Sequence, residues 1–535
     1  MALSQAVRVG DDPSSGSTRG RERMAPLVRL PSRHPLAARA WVVGLAAVVV
    51  GYAGAGIPSY WGDEGASVLS AERSWPSLAL ELGRIDAVHG LYYALLHLWI
   101  AAFGAGEWST RAPSAIAVGF LAAGTVVLGT RWFDARIGLL GGVLVAVLPR
   151  TTAMATEARS YALGAALAVW ATVACTELIR RRVASRWWWA AYGAALALAA
   201  TLFVYLLLLV PVHLALVEAS RPARGIRWRW ALAIVVALAG SVPILAAAAA
   251  QRHQLHFLAE RGYASPDGVL VRQWFGSVPV AVPAWALVLG GVLATLASVR
   301  RGRRLPQGFV PAITWVVAPT AALLAVDAFV APAYSPRYLS FATPAVALLV
   351  AVGAVACVEA AAAALRARRA RGAASGGPAV VRVVGATVAL VAAATVLPVY
   401  LHQRTEWAKD GGSDLRAVAA FVQAHARVGD AVVFDRTTKP SRRPRLAMHL
   451  YPQAFAGLED VALRTPYATR AGIWDLTWPV ADIAPTLDEP TVWALELPGA
   501  ASQAPPDVVA LEANGYRVVD RRTIHRTVVY HLEKG

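Results

Sequence analysis

The feature that most restricts how this chain can fold is a succession of long, nearly charge-free apolar stretches divided by short arginine clusters. The runs at 41–52, 139–148, 202–210 and 284–297 sit inside such stretches, and about 20 apolar residues cross a bilayer core. A chain carrying several of them is expected to be mainly α, a polytopic membrane helical bundle. With 57% hydrophobic and only 16% charged residues, it is not a purely soluble protein.

The net charge of +18 raises the question of nucleic acid, and its position answers it. Residues 401–535 hold 16 Lys+Arg and 16 Asp+Glu, so the whole excess lies in the first 400 positions, in clusters between apolar runs. That pattern retains loops on the cytoplasmic face and does not track a phosphate backbone, so nucleic acid is not an expected partner. Cys175 and Cys357 both fall in expected spans and support neither a disulfide framework nor a thiolate metal site. His253 and His256 have an i, i+3 spacing but no nearby carboxylate pattern, so no metal and no cofactor is expected. Residues 1–35, rich in Ser, Gly, Pro and Arg, read as a disordered cytoplasmic tail. No small-residue cleavage signal follows the first apolar run, which reads as a retained helix.

With the first span at 36–55 and its N-terminus inside, later spans are expected near 107–129, 137–150, 158–179, 187–202, 203–219, 230–250, 281–299, 309–330, 338–360 and 381–400. That makes about 11 transmembrane helices in a domain covering 36–400, with the C-terminus outside. Arg131 and Arg136, and the clusters at 180–182, 221–229, 300–304 and 366–371, then share one side. The short aromatic run at 89–104 is left out of the count, because a span there would move every later cluster outside. It reads as a re-entrant or interfacial helix of a large first outer loop, 56–111, with a short true span as the alternative. Residues 401–535 read as a small soluble α/β extracytoplasmic domain. It has an amphipathic helix at 414–426 and strands at 431–434, 491–497, 516–520 and 527–532.

The outward loops concentrate ionisable groups beside the spans: Tyr60-Trp61-Gly62-Asp63-Glu64-Gly65, then Arg84, Asp86 and His89, then Glu157-Ala158-Arg159-Ser160-Tyr161, then Tyr334-Ser335-Pro336-Arg337-Tyr338. Charge at a membrane boundary is costly unless paired or functional. These residue types suit transfer of a sugar from a polyprenyl phosphate to a hydroxyl. A carboxylate near the anomeric carbon, Asp63 or Glu64, can accept the acceptor's proton as general base. Arg159 and Arg337 clamp the phosphate leaving group through the planar fork that suits it. Tyr161 and Tyr338 donate to the phosphate or stack on the sugar. The structural alternatives are a solvated loop for Asp63 and Glu64, a snorkelling Arg337, an ion pair of Arg159 with Glu157 or another acid, packing or belt roles for His89 and His97, and interface anchoring for Trp61 and Trp75.

At these residues the sequence resembles the integral-membrane GT-C superfamily of lipid-phosphate-sugar glycosyltransferases, in particular its protein O-mannosyltransferase and aminoarabinose transferase branch. The likeness runs from Ser59 to Pro344. That family carries its catalytic base on an acidic residue of the first outer loop, which implies Asp63 as the base with Glu64 as a supporting carboxylate. Leu91-Tyr92-Tyr93 through Glu107-Trp108-Ser109-Thr110-Arg111-Ala112-Pro113-Ser114 looks like its re-entrant helix and second span. Glu157-Ala158-Arg159-Ser160-Tyr161 looks like its E-A-R-x-Y segment, and Ser335-Pro336-Arg337-Tyr338-Leu339 with Pro344 like its P-R-Y segment. His89-Gly90 replace the Pro-Pro pair common before Leu-Tyr-Tyr. His89, Tyr92, Tyr93 and Glu157 are secondary substrate-binding candidates.

The resemblance implies an inverting, metal-independent transfer from a polyprenyl-phosphate sugar, mannose first, to a protein, glycolipid or glycan acceptor outside the cell membrane. A transporter or flippase of lipid-linked sugars and a non-catalytic cell-envelope scaffold are the rival readings. No convincing internal repeat favours the transporter.

Overall fold

The computed structural model describes residues 35–370, 378–498 and 504–535. The tail expected over 1–35 lies outside the described residues, save for its last position.

Helix α1 (Pro35–Tyr52) is followed by the short helices of the first loop, α2 (Gly62–Glu72), α3 (Trp75–Leu82) and α4 (Gly90–Phe103). Then come α5 (Glu107–Trp132), α6 (Ala135–Val147), the single-turn α7 (Pro149–Met154), α8 (Tyr161–Arg180), α9 (Arg186–Leu202), α10 (Val210–Ser220) and α11 (Arg224–Ala250). The series closes with α12 (Val278–Arg300), α13 (Phe309–Phe329), α14 (Thr343–Ala370) and α15 (Pro378–His402). Among the described residues, seven helices are long and apolar enough to cross a membrane, and shorter apolar helices accompany them. Each of the eleven expected spans coincides with one helix, and the one near 203–219 begins as a 3-10 turn, Val204–Leu209, that runs into α10.

With the 3-10 turn Ala87–His89 before it, α4 makes up one of the shorter apolar helices, Ala87–Phe103. Its Tyr92, Tyr93 and Leu96 pack with Ala71, Leu78 and Leu202, so it lies against α2, α3 and the end of α9.

Small residues let the helices approach closely. A methyl group on Gly44 of α1 would sit 2.9 Å from the Gly119 carbonyl oxygen of α5, so only glycine permits that crossing. Asp134 caps α6, its carboxylate accepting from the backbone N–H of Arg136 at 2.8 Å and Ile137 at 2.9 Å. Two arginine clusters meet at one end of the bundle: Arg131, Arg180 and Arg181 all converge on Glu177 at 2.8–2.9 Å.

The C-terminal part holds helix α16 (Leu415–His425) and a five-stranded sheet of order β2-β1-β5-β7-β6. Its strands are β1 (Ala431–Phe434), β2 (Glu459–Asp460), β5 (Thr491–Glu496), β6 (Tyr516–Thr523) and β7 (Val528–Lys534), while β3 (Leu463–Thr465) and β4 (Leu476–Thr477) form a separate ribbon. β1 runs parallel to β2 and β5 and is buried along its length, as an unbroken apolar run requires of a strand covered on both faces. Antiparallel pairing to β7 carries β6 on to Thr523, past the expected end at 520. A bulge near Val519 breaks the alternation that the sequence reading relied on. Asp414, at the head of α16, accepts from the backbone N–H of Arg526 at 2.9 Å and Thr527 at 2.7 Å, which ties the helix to the β6–β7 hairpin.

Leu415, Val418 and Val422 of α16 pack with Val432, Phe434, Trp493, Leu495 and Val529, and the same core takes in Tyr60, Val68 and Leu69 of the first loop. Arg416 reaches across to Glu107 at 2.6 Å and to the Gly56 carbonyl at 2.6 Å. Arg73, paired with Glu81 at 2.7 Å, also donates to the carbonyls of Arg470 and Gly472. The first loop and the C-terminal part thus share one interior.

Candidate active site

Helix α2 begins where Trp61 is extended and Gly62 opens the first turn, with Asp63 and Glu64 placed where carboxylates favour a helix N-terminus. A side chain on Gly62 would collide with the Ser441 carbonyl, so glycine is what allows the Pro440–Arg442 turn of the C-terminal part to cover this end.

Adjacent helical positions point about 100° apart, and the two carboxylates accordingly meet different surroundings. Glu64 is fully buried. Its two oxygens accept from Arg111 Nε and Nη2, each at 2.7 Å, and one also accepts from the Ala158 N–H at 2.9 Å. Arg111 spends its remaining donors on the carbonyls of Ala55, Pro58 and Ser59. Glu64 therefore supports the site from behind, fastening α2, the start of α5 and the loop before α8 to one another. Asp63 is the accessible carboxylate, 32% exposed, and its Oδ2 accepts from Arg337 Nη1 at 2.6 Å. Burial would raise its pKa, but Arg337 and then Arg159 outweigh that effect and hold it below the usual carboxylate range.

Arg159 donates to the Asp63 carbonyl at 3.3 Å, to Ser67 Oγ at 3.1 Å and to His89 Nε2 at 3.1 Å. A guanidinium can only donate, so Nε2 accepts and the imidazole is neutral with its proton on Nδ1. Desolvation, and then the charge of Arg159, push the His89 pKa down to about 4. The alternative Arg159–Glu157 pair does not form. Glu157 is 3.5 Å from Lys409 Nζ, and its carbonyl accepts from Ser114 at 2.6 Å.

Arg337 lies over the rings of Trp61 at 5.0 Å and Tyr161 at 6.0 Å. Tyr338 stacks on Tyr205 with ring centroids 4.5 Å apart. Tyr93 donates to Asp86 at 2.8 Å, and Tyr92 is buried beside it with its hydroxyl unpartnered among the described residues. The structure thus gathers Asp63, Arg159, Arg337, His89 and Tyr161 around one point. Tyr92 and Tyr93 sit in the wall behind His89, and Glu64 and Glu157 lie in buried ion pairs.

Sequence reasoning missed four contributors. Arg111 carried a usable signal, a charge at the start of an apolar helix. Ser67 lies one turn after Asp63 on α2, whereas Lys409 and Tyr205 carried none, since only folding brings them here. Trp61, read as an interface anchor, packs its ring under Arg337.

No protein-family model and no curated protein matches this chain. Among solved structures it is similar to ArnT from Cupriavidus metallidurans bound to undecaprenyl phosphate, at 17% identity and a TM-score of 0.51 over 92% of this chain and 97% of that one. It is also similar to the apo state of the same protein, at 16% identity and a TM-score of 0.50 over 92% and 98%. At such identity the likeness is one of fold.

Proposed function

We propose that this chain is a membrane glycosyltransferase that moves a sugar from a polyprenyl-phosphate donor to a hydroxyl on an extracytoplasmic acceptor, with inversion at the anomeric carbon. One juxtaposition carries the reading: an accessible carboxylate, Asp63, meets two guanidiniums from separate segments, Arg159 and Arg337, in a chain of GT-C fold. The similar ArnT structure has undecaprenyl phosphate bound, and a polyprenyl phosphate is the carrier that the two arginines here would hold.

In the reaction, Asp63 accepts the proton of the acceptor hydroxyl as its oxygen attacks the anomeric carbon. The bond from that carbon to the phosphate oxygen breaks, its electron pair stays with the polyprenyl phosphate, and Arg159 and Arg337 stabilise that charge. Tyr161 and Tyr338 flank the phosphate, while His89, Tyr92 and Tyr93 shape the sugar side. Glu64 and Glu157 position the loops that carry Asp63 and Arg159. Protein, glycolipid and glycan hydroxyls are all chemically suitable acceptors.

The test is transfer of label from polyprenyl-phosphate mannose by the purified protein in lipid, with a membrane extract as acceptor. Labelled product is expected, and Arg159→Gln should raise the donor KM about tenfold or more. If neither mannose nor the pentose donors tested next gives product, the transferase reading falls.

The same proposal puts the site and residues 401–535 outside the cell and the arginine clusters inside. A cysteine at Arg303 should resist an impermeant thiol reagent in intact cells, whereas one at Val428, which is 86% exposed, should react. Labelling at position 303 would overturn the orientation.

A further inference from the structure

The two arginines assigned to the phosphate are not equivalent. Arg159 is committed to the Asp63 main-chain carbonyl, Ser67 and His89. Arg337 has one hydrogen-bond acceptor for its side chain among the described residues, and that acceptor is the Asp63 carboxylate itself. The rest of the guanidinium is supported by the rings of Trp61 and Tyr161, which hold a cation without using its N–H groups. One phosphate ligand is therefore fixed, and the other is borrowed from the base.

A phosphate seated at Arg159 would bring a second anion to the one guanidinium that Asp63 uses. Phosphate oxygens match the two parallel N–H groups of that fork, whereas Asp63 engages a single one at 2.6 Å. We propose that the Asp63–Arg337 pair is a latch worked by the donor: with no donor bound, Arg337 keeps the Asp63 carboxylate occupied, and an arriving lipid phosphate draws Arg337 away and frees Asp63 for the acceptor's proton. Binding is then ordered, donor before acceptor, because a hydroxyl that arrives first meets a carboxylate already in an ion pair. This inference rests on the phosphate-clamp reading above.

The charged and titratable groups around Asp63 are Arg337, Arg159 and His89, with Tyr161 and Tyr338 beside Arg337 and Glu64 turned away onto Arg111. Of these, Arg337 is the only one in contact with the Asp63 carboxylate. Neutralising it with a phosphate removes a cation and adds an anion, and both changes raise the proton affinity of the carboxylate.

The experiment uses the full chain in lipid nanodiscs with farnesyl phosphate as the probe. A hydrophobic carbodiimide modifies protonated carboxyl groups, and the pH midpoint of Asp63 labelling is read by peptide mass spectrometry. Farnesyl phosphate should raise that midpoint by about one pH unit, a tenfold gain in proton affinity. Shielding of Asp63 by the probe would slow labelling at every pH without moving the midpoint. Arg337→Gln should raise the midpoint with no probe present and abolish the response to it, and Arg337→Lys should restore part of that response. A 31P resonance that reports bound farnesyl phosphate together with an unmoved or lowered midpoint overturns the latch and leaves the clamp standing. If the resonance shows no binding to the unmodified chain, the clamp reading itself fails and the latch falls with it.

Discussion

Asp63→Asn should lower the transfer rate by about 10²–10⁴-fold, the usual contribution of a positioned general base, while leaving the protein folded and the donor KM unchanged or lower. Asparagine keeps the shape of the side chain and an oxygen that can accept from Arg337, so α2 and its contacts survive. What disappears is the capacity to take a proton. Removing the negative charge also leaves Arg337 without a competing anion, which is why donor binding should not weaken. Initial rates across donor concentration, with thermal unfolding of both proteins, check the expectation. A variant that keeps more than a tenth of the rate would remove Asp63 from the chemistry.

Glu64→Gln is expected to act by a different route. The Glu64 and Arg111 side chains are fully buried and joined by two hydrogen bonds, and removing one partner of such a pair commonly costs about 3–5 kcal/mol, because the other charge is left uncompensated. The loss would spread through the Ala158 N–H and the carbonyls of residues 55, 58 and 59 that the pair gathers. A clear fall in unfolding temperature should therefore accompany the loss of transfer, and Arg111→Leu should produce the same combination. Glu64→Leu with Arg111→Leu should recover part of the stability, since no unpaired charge remains. If Glu64→Gln instead keeps full thermal stability and loses transfer, Glu64 and not Asp63 is the base.

The bundle was legible because its helices are apolar runs with arginine clusters between alternate pairs, a pattern that solvent alone imposes. The candidate site was legible for a related reason: charges such as Asp63, Arg159 and Arg337 stand beside apolar runs where they need a partner or a task. The partners themselves were not legible. Arg159 had Glu157 two positions away, yet it binds Ser67 and His89 while Glu157 turns to Lys409. Lys409 lies 252 residues from Glu157 along the chain, and no local pattern encodes a contact at that separation. The different surroundings of Asp63 and Glu64 could not be read from the residues either, since they depend on where Arg111 and Arg337 arrive; only the resemblance singled out Asp63.

The interior shared by the first loop and the C-terminal part also has a consequence in time. Tyr60, Val68 and Leu69 leave the ribosome early, but the side chains that cover them reach as far as Val529. At a synthesis rate of about 5–20 residues per second, that apolar face waits roughly 20–90 s for its lid. The packing around α2, which carries Asp63, is therefore completed only when the last strands have been made, and a chain stopped short of them would carry a finished bundle with an unfinished first loop.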